Sequence, residues 1–282
     1  MKISIVTPVF NSVTTIEKTI LSVISQKRNF PLEYIVIDGG STDGTIQIIN
    51  KYADQINLFI SEPDRGPYDA MNKGINHSTG DVIGIINSDD WYHDNAIATV
   101  EQEFCRNHDI SVLYSPITNY YKGEYVATFV PGDLDKLLFR FTLNHPSCFI
   151  TKSAYNLVGL YNLEYPIAAD YDLILRLFVS GVNFHYVSTP LASYSLSGMS
   201  SSAIPFDRLK LIRECWKISC SHSNQFSREM ELQRWNVYAA WVFNELFALP
   251  TRYFLKPPLA RKLKSFLSRY LGKPVSDTYG KW

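Results

Sequence analysis

The sequence predicts an α/β fold in which a mainly parallel sheet is sandwiched by helices, followed by a helical C-terminal extension. Three observations carry this. β-branched runs alternate with segments of helical spacing through the first third of the chain. Three of those runs stop at polar turns, two of them rich in carboxylates. After Ser202 the pattern is almost purely helical through Leu271.

The elements follow in order. Ile3-Ser4-Ile5-Val6-Thr7 reads as a first strand ending at Pro8, and Ile16, Ile20, Val23 and Ile24 recur at helical spacing. Tyr34-Ile35-Val36-Ile37 is a second strand ending at Asp38-Gly39-Gly40. Ser41-Thr42-Asp43 is capping material for a helix through Ile46, Ile49 and Tyr52. Leu58-Phe59-Ile60 and residues 82–86 make two further strands, with a helix over residues 70–75 between them. This β-α-β order implies parallel pairing with right-handed crossovers. Later strands are shorter: Val112-Leu113-Tyr114, residues 125–129 and Cys148-Phe149-Ile150. A helix over residues 170–179 carries Leu173, Leu175, Leu177 and Phe178. The pattern divides the chain at about 205, and no internal repeat is present.

Composition narrows the function. Of 282 residues, 46% are hydrophobic and 19% charged, as in a globular protein. The 27 Lys+Arg balance 27 Asp+Glu, so net charge points to no nucleic-acid partner. The distribution is less even: residues 246–276 hold Arg252, Lys256, Arg261, Lys262, Lys264, Arg269 and Lys273 and no acid. Cys105, Cys148, Cys215 and Cys220 form no CxxC pair and no zinc-like spacing, and read as reduced thiols. The N-terminal apolar run is too short for a signal peptide, and residues 237–249, broken by Asn244 and Glu245, are too few to span a bilayer. A cytoplasmic protein is expected.

Ligands of such sheets bind beyond the carboxyl ends of the strands. Those ends carry Thr7-Pro8 with Asn11, then Asp38, then Asn87-Ser88-Asp89-Asp90. Adjacent carboxylates such as Asp89 and Asp90 repel unless water, a helix N-terminus or a cation relieves them. Mg²⁺ or Mn²⁺ bridging a diphosphate is the natural partner, since such ions take one or two carboxylates plus phosphates. The stretch Gly39-Gly40-Ser41-Thr42-Asp43-Gly44 has neither the Lys of a P-loop nor dinucleotide spacing, which disfavours kinases and nicotinamide enzymes. A metal, helped by Lys73, would have to neutralise the diphosphate.

Thr7-Pro8-Val9-Phe10-Asn11, the run from Val36 through Asp38-Gly39-Gly40-Ser41-Thr42-Asp43-Gly44-Thr45, and Gly80-Asp81-Val82-Ile83 leading to Ser88-Asp89-Asp90 resemble family 2 glycosyltransferases of the GT-A fold. Glu62-Pro63-Asp64-Arg65-Gly66 and Tyr68-Asp69-Ala70-Met71-Asn72-Lys73-Gly74 resemble bacterial polysaccharide-assembly members in particular. The motifs span residues 3–95 in order and continue more weakly to about 200, through Asn144-His145-Pro146-Ser147 and Ala169-Asp170-Tyr171-Asp172-Leu173. The resemblance implies a GT-A-like, Rossmann-type domain over 1–205, with a nucleotide-sugar half to about 95 and an acceptor half beyond, then a helical extension over 206–282. It implies that Thr7 and Asp38 hold the nucleobase, Asp89 the ribose and Asp90 the metal. Pro8, Asn11 and Lys73 would complete the nucleotide-sugar site. Asp170 would be the general base of an inverting displacement. Asn87 stands where many relatives have a carboxylate, and Ala169 where a Glu often precedes the base.

The expected reaction moves a sugar from a UDP-linked donor to a lipid-linked or oligosaccharide acceptor in bacterial surface polysaccharide assembly. Transfer to polyprenyl phosphate and a silent nucleotide-sugar-binding module are the alternatives. Several residues also have plainer readings. Asp170 opens an apolar helix, where Asp caps and complements the dipole, and Asp172 is its rival as base. His145 is read as touching acceptor or pyrophosphate, or as a structural histidine. Gln233-Arg234-Trp235 is read as a helix surface with a buried Trp. Ser197-Gly198-Met199-Ser200 sits where relatives have a Gly/Ser loop. In the tail, Leu259, Leu263, Phe266, Leu267, Tyr270 and Leu271 form one helical face flanked by the basic residues. That tail either packs on the domain or lies peripherally on the anionic inner face of the cell membrane.

Overall fold

A computed structural model describes residues 1–26, 31–196, 205–223 and 226–254, with side chains at all of these except 205–207 and 247–254. The Gly/Ser loop expected at 197–200 and the tail helix expected over 259–271 lie outside the described residues. The first half alternates as expected: β1 (Ile3–Val9), α1 (Ile16–Ile24), β2 (Leu32–Asp38), α2 (Thr45–Asn50), β3 (Leu58–Ser61), α3 (Pro67–His77) and β4 (Val82–Ile85). β1 pairs in parallel with β2 and β4, and β2 with β3. The first strand runs through Pro8 instead of stopping there. The Val6 carbonyl accepts from Ile86 N (3.0 Å), and the β4 pairing ends at Ile85. Pro8 faces the same side one alternation later, where no β4 residue remains to pair, so its missing N–H breaks no ladder.

The second half holds β5 (Trp91–Tyr92), α4 (Ala96–Arg106), β6 (Val112–Tyr114), β7 (Ile117–Tyr121), β8 (Glu124–Phe129), β9 (Cys148–Thr151), α5 (Lys152–Val158), α6 (Ala169–Val179), β10 (Phe184–Tyr186) and β11 (Ala192–Ser195). Among the described residues the main sheet has the order β10-β6-β9-β4-β1-β2-β3. It is mainly parallel because β9 alone runs against its neighbours β4 and β6. Gly84 makes that insertion possible: a Cβ there would stand 2.5 Å from the Phe149 ring across the ladder. A second, four-stranded sheet, β5-β11-β7-β8, was not foreseen. Its β7–β8 hairpin closes on Lys122 (φ 51°) and Gly123 (φ 83°), the double left-handed turn that matches strand twist.

Alternation along the central strands builds two cores. Val6, Ile35, Ile37, Ile83 and Ile85 face α3, α5 and α6, while Ile3, Ile5, Tyr34, Val36 and Val82 face α1, α2, α4 and the small sheet. Each face of the sheet is therefore covered, as the unbroken apolar strands require. On α1, Ile16, Ile20 and Val23 are fully buried, and each such side chain stabilises the fold by roughly 1.5–3 kcal/mol.

Two further helices, α7 (Pro205–Ser221) and α8 (Arg228–Phe254), close the described chain. Ile212, Cys215, Ile218 and Tyr238 join the same core as α6, so this hairpin is continuous with the sheet's packing. The reading of Gln233-Arg234-Trp235 is inverted by the structure. Arg234 is the buried member, under Trp216 and Phe226, and Trp235 is 59% exposed. The cause is helical phase: Arg234, Tyr238 and Glu245 form the inward face, and Trp235 lies one residue, about 100°, off it. No described helix is long and apolar enough to cross a membrane.

Candidate active site

The loops after β1, β2, β3 and β4 share one edge of the sheet and are laced together. Asn11 takes a left-handed turn (φ 46°), its Oδ1 accepts from Thr42 N (2.9 Å), and its own N–H donates to Ser41 Oγ (2.7 Å). Ser12 Oγ meets Ser88 Oγ at 2.8 Å, tying the first loop to the Asp89-Asp90 turn. Asp38 is wholly buried, and its carboxylate accepts from Gly40 N (3.1 Å), Ser41 N (3.0 Å), Ser41 Oγ (2.5 Å) and Ser61 Oγ (2.7 Å). It locks the end of β2 to the end of β3. Gly39 is tight for a different reason: a Cβ there would lie 2.6 Å from Asp64 Oδ2, so the Asp64 carboxylate rests on bare backbone.

Thr7 and Pro8 are likewise buried, and Thr7 Oγ1 lies 3.2 Å from Tyr34 Oη. Thus Thr7 and Asp38, expected at the nucleobase, offer no side-chain atom to solvent here. They sit beneath the surface that a ligand would meet. What the rim presents is the 57%-exposed Phe10, Asn11, the Gly39-Gly40 backbone and Asp89.

Asp89 and Asp90 have contrasting surroundings. Asp89 is only partly buried, and burial pushes its carboxyl above the usual carboxylate range. Asp90 is fully buried: Oδ1 accepts from Ser195 N (2.9 Å) and Oδ2 from Asn87 Nδ2 (3.1 Å). Its carboxyl is held well above the usual range, by burial first and the neighbouring Asp89 charge second. Behind the turn, Thr19 Oγ1 on α1 donates to the Asp90 carbonyl (2.7 Å). Thr19 and Ser195, missed from sequence, therefore set this turn. Asn87 also has a place: the amide standing where a carboxylate is common donates to Asp90 instead of adding a third negative charge.

These surroundings suit a hard divalent cation. Two adjacent carboxylates share a desolvated turn, and among the described residues neither pairs with a cationic side chain, a charge imbalance that such an ion relieves. Among the described residues no group of three His, Cys, Asp or Glu converges. An ion here would take most of its shell from water and phosphate, as Mg²⁺ commonly does.

On α3, Lys73 pairs with Glu62 (2.7 Å) and more loosely with Asp69 (4.0 Å), the Glu62 contact raising its pKa. Tyr68 lies in the first turn of the same helix. Its Oη lies 2.9 Å from the Ile167 carbonyl and 3.2 Å from Asp170 Oδ1, so one phenolic proton serves two acceptors. Asp170 stands in the first turn of α6 and also accepts from Tyr171 N (2.8 Å). Burial pushes its carboxyl up to about 6, against the pull of the Tyr171 amide and the Tyr68 hydroxyl. That is suited to proton abstraction near neutral pH. Its rival Asp172 is buried and held by Arg176 (Nε–Oδ2 2.9 Å), whose guanidinium also bonds the Val158 and Leu160 carbonyls.

The first turn of α6 has an unusual cap. Ala168 at the N-cap offers no side chain, and Glu214 of α7 accepts from Ile167 N and Ala168 N, both at 3.0 Å. Behind Tyr68, the Tyr161 ring stacks at 5.3 Å. Asn72 clamps the Tyr161 backbone in both directions (2.9 Å each). His145 is buried with Nε2 on the Tyr161 hydroxyl, and burial lowers its pKa to about 4. It connects to Asp170 through Tyr161 and Tyr68. A cleft of about 110 Å³ opens beside Tyr68, lined by Arg65, Gly66, Pro67, Leu163 and Pro166. A larger depression of about 340 Å³ lies by Thr79-Gly80-Asp81, where β4 begins, at the edge opposite the rim.

Comparison with known proteins adds to this geometry. The family model described as Glycosyl transferase family 2 matches residues 4–157. A PGL/p-HBAD biosynthesis glycosyltransferase of Mycobacterium bovis is 30% identical over 217 residues, covering 73% of this chain and 82% of its own. Among solved structures, S. aureus TarS 1-349 in complex with UDP-GlcNAc superposes with a TM-score of 0.65 at 19% identity, over 92% of this chain and 77% of that one. The mannosyltransferase PcManGT from Pyrobaculum calidifontis, in complex with GDP-Man and Mn²⁺, does so at 0.63 and 15% identity, over 95% and 80%. At these identities the two structures speak for the fold, the GT-A arrangement of sheet and flanking helices.

Proposed function

From the premise that this chain belongs to glycosyl transferase family 2 and is a glycosyltransferase, we propose that it transfers a sugar from a UDP-linked donor with inversion, using Asp170 as base and a divalent cation at Asp89-Asp90. The observation that carries this is the environment of Asp170. It is the one carboxylate of the α6 first turn left without a cationic partner among the described residues, tuned to about 6 and bonded to Tyr68, which lines an open cleft. Ionised, it takes the proton of an acceptor hydroxyl entering by Arg65 and Tyr68. Tyr68 and the Tyr171 amide hold the carboxylate in place meanwhile.

The donor lies along the rim. Asn11 and the Gly39-Gly40 backbone face the base, with Thr7, Pro8 and Asp38 shaping the surface from beneath. Asp89, the accessible member of the pair, meets the ribose and also takes the cation that the sequence assigned to Asp90, because Asp90 is buried with both oxygens bonded and fixes the turn to β11. When bound, the Mn²⁺ or Mg²⁺ ion supplies Lewis-acid neutralisation of the departing diphosphate. Lys73 adds charge if the donor draws it from Glu62. The acceptor on this reading is lipid-linked or an oligosaccharide in a bacterial surface glycan. Residues 1–205 form the catalytic part and 206–282 its helical extension. The basic tail is assigned to the inner membrane face.

The test is a thermal-shift screen of nucleotide sugars with and without Mn²⁺, followed by NMR of the early product. A UDP-sugar should raise the melting temperature only with the metal, since a ligand selective for the folded state stabilises it. The product should be inverted at the anomeric carbon. Retention, or stabilisation by UDP-sugars without any metal effect, would refute the scheme. Absence of Mn²⁺-dependent donor turnover would leave only a binding module.

A further inference from the structure

The helices α7 and α8 carry a surface that neither the donor nor the acceptor reading uses. On α8, Leu232, Trp235, Phe243 and Leu246 are 60, 59, 67 and 52% exposed. The other exposed positions between 232 and 246 are Gln, Asn and Ala, so this outer face carries no charge over about four turns. Leu232, Trp235 and Leu246 share one side of the helix, and soluble surfaces rarely leave large apolar side chains contiguous and open. On α7, Lys210, Arg213 and Lys217 are exposed at i, i+3 and i+7, one stripe of the helix. The two stripes meet at a seam: Trp216, next to Lys217, packs on Trp235 with ring centroids 4.5 Å apart. An aromatic pair thus sits where an apolar face borders a basic one.

We propose that this α7–α8 face docks on an anionic lipid bilayer, with Leu232, Trp235 and Leu246 among the acyl chains and Arg213 and Lys217 at the headgroups. Charge complementarity selects this occupant. Apolar residues flanked by lysine and arginine, with tryptophan at the boundary, form the pattern of an interfacial helix. Residues 246–276, which continue from α8, add basic residues and no acid, so the chain beyond the helix strengthens the same attraction. A second copy is the poorer fit. A two-fold contact would set the same patch against itself, bringing two basic stripes together without an acid between them. This inference extends the lipid-linked acceptor reading but does not depend on it, because membrane binding is measured without donor or acceptor.

The test is co-sedimentation of the full chain with phosphatidylcholine vesicles, with and without phosphatidylglycerol. Binding should require phosphatidylglycerol and fall with added salt. Each basic residue near such a surface is worth roughly fivefold. The double variant Arg213→Glu, Lys217→Glu should therefore bind at least about 25-fold more weakly, and Leu232→Glu, Leu246→Glu should lose binding at any salt. All four sites are exposed, so both variants should keep the wild-type melting temperature and turnover on a soluble acceptor. Wild-type-like sedimentation by both double variants would overturn the proposal. So would a dimer in light scattering that Leu232→Glu, Leu246→Glu dissolves, or vesicle binding that persists at full strength in the double variants and is lost only on truncation after Phe254. Failure of the transfer scheme with vesicle binding intact would leave this inference standing.

Discussion

Replacing Tyr68 by Phe isolates the tuning of Asp170. The ring and its stack on Tyr161 remain, and only the hydroxyl at 3.2 Å from Asp170 Oδ1 and 2.9 Å from the Ile167 carbonyl is lost. Hydrogen bonds to charged groups are worth about 1.5–3 kcal/mol. A proton shared with a carbonyl gives slightly less than that range, about 1.4 kcal/mol, or about one pKa unit. This bond lowers the Asp170 pKa from what burial alone would impose, so its loss should move the carboxyl from about 6 up to about 7. At pH 6 the ionised fraction then drops from about half to about a tenth, a roughly fivefold loss of rate that shrinks to about 10% at pH 8. The assay is kcat/KM for sugar transfer from pH 5 to pH 9. An acid limb shifted upward with an unchanged plateau supports the scheme. A uniform loss at every pH would make Tyr68 merely structural, and an unshifted limb would mean that Asp170 is not the titrating base.

Three other outcomes follow from the same geometry. Asp170→Asn should lower turnover by about 10²-fold or more with donor affinity kept, and Asp172→Asn should not substitute for it as the dead variant. Its stability should change in the opposite direction. The raised carboxyl makes wild-type stability fall as pH climbs from the ordinary carboxylate range through about 6, so the Asp170→Asn variant should be about 3 kcal/mol more stable at pH 8 and equal near pH 3 by chemical denaturation. At the metal turn, Asp89→Ala should abolish Mn²⁺-dependent nucleotide binding in calorimetry. Asp90→Asn should retain it, and the reverse result would put the ligand on the buried residue. At the opposite edge, burial would raise the Glu33 carboxyl, but Ser4, Thr79 and Lys2 donate to it and hold it at about 2. That lowered value is worth about 3 kcal/mol above the ordinary carboxylate range and is lost as pH falls through about 2. Glu33→Gln should lose it at pH 7 and match wild type near pH 2.

The first ninety-odd residues were legible because long β-branched strands and an apolar helix stripe leave a strong period in the sequence. β5 has two residues and β10 three, too few for any period to emerge, and β11 is written in Ala, Ser and Tyr. Those strands are defined by what they pair with, which a linear pattern does not contain. The site shows the same division. Motifs singled out Asp38, Asp89, Asp90 and Asp170 as candidates, but not that Asp38 and Asp90 point inward to bond backbone amides while Asp89 stays open. The groups that decide this, Ser61, Ser195 and Thr19, lie 23, 105 and 71 residues away from the carboxylate or carbonyl they hold. Trp235 was misplaced for a simpler reason: an Arg buried under two aromatic rings runs against the usual ranking of burial.

The cap that Glu214 places on α6 bears on how this enzyme can be cut and recombined. The family match ends at 157, and a hybrid built at that point would inherit Asp170 from one parent and the first rim from the other. A cut near 205 looks cleaner on paper, yet it removes the only side chain bonded to the amides that precede Asp170 among the described residues. The exchangeable unit therefore runs from Tyr161 to at least Glu214, with Tyr68 travelling in the other half as its counterpart. Exchanging the surroundings of Asp170 between relatives means moving that whole span and choosing parents that agree at position 68. A shorter graft would deliver the carboxylate without the groups that hold it here.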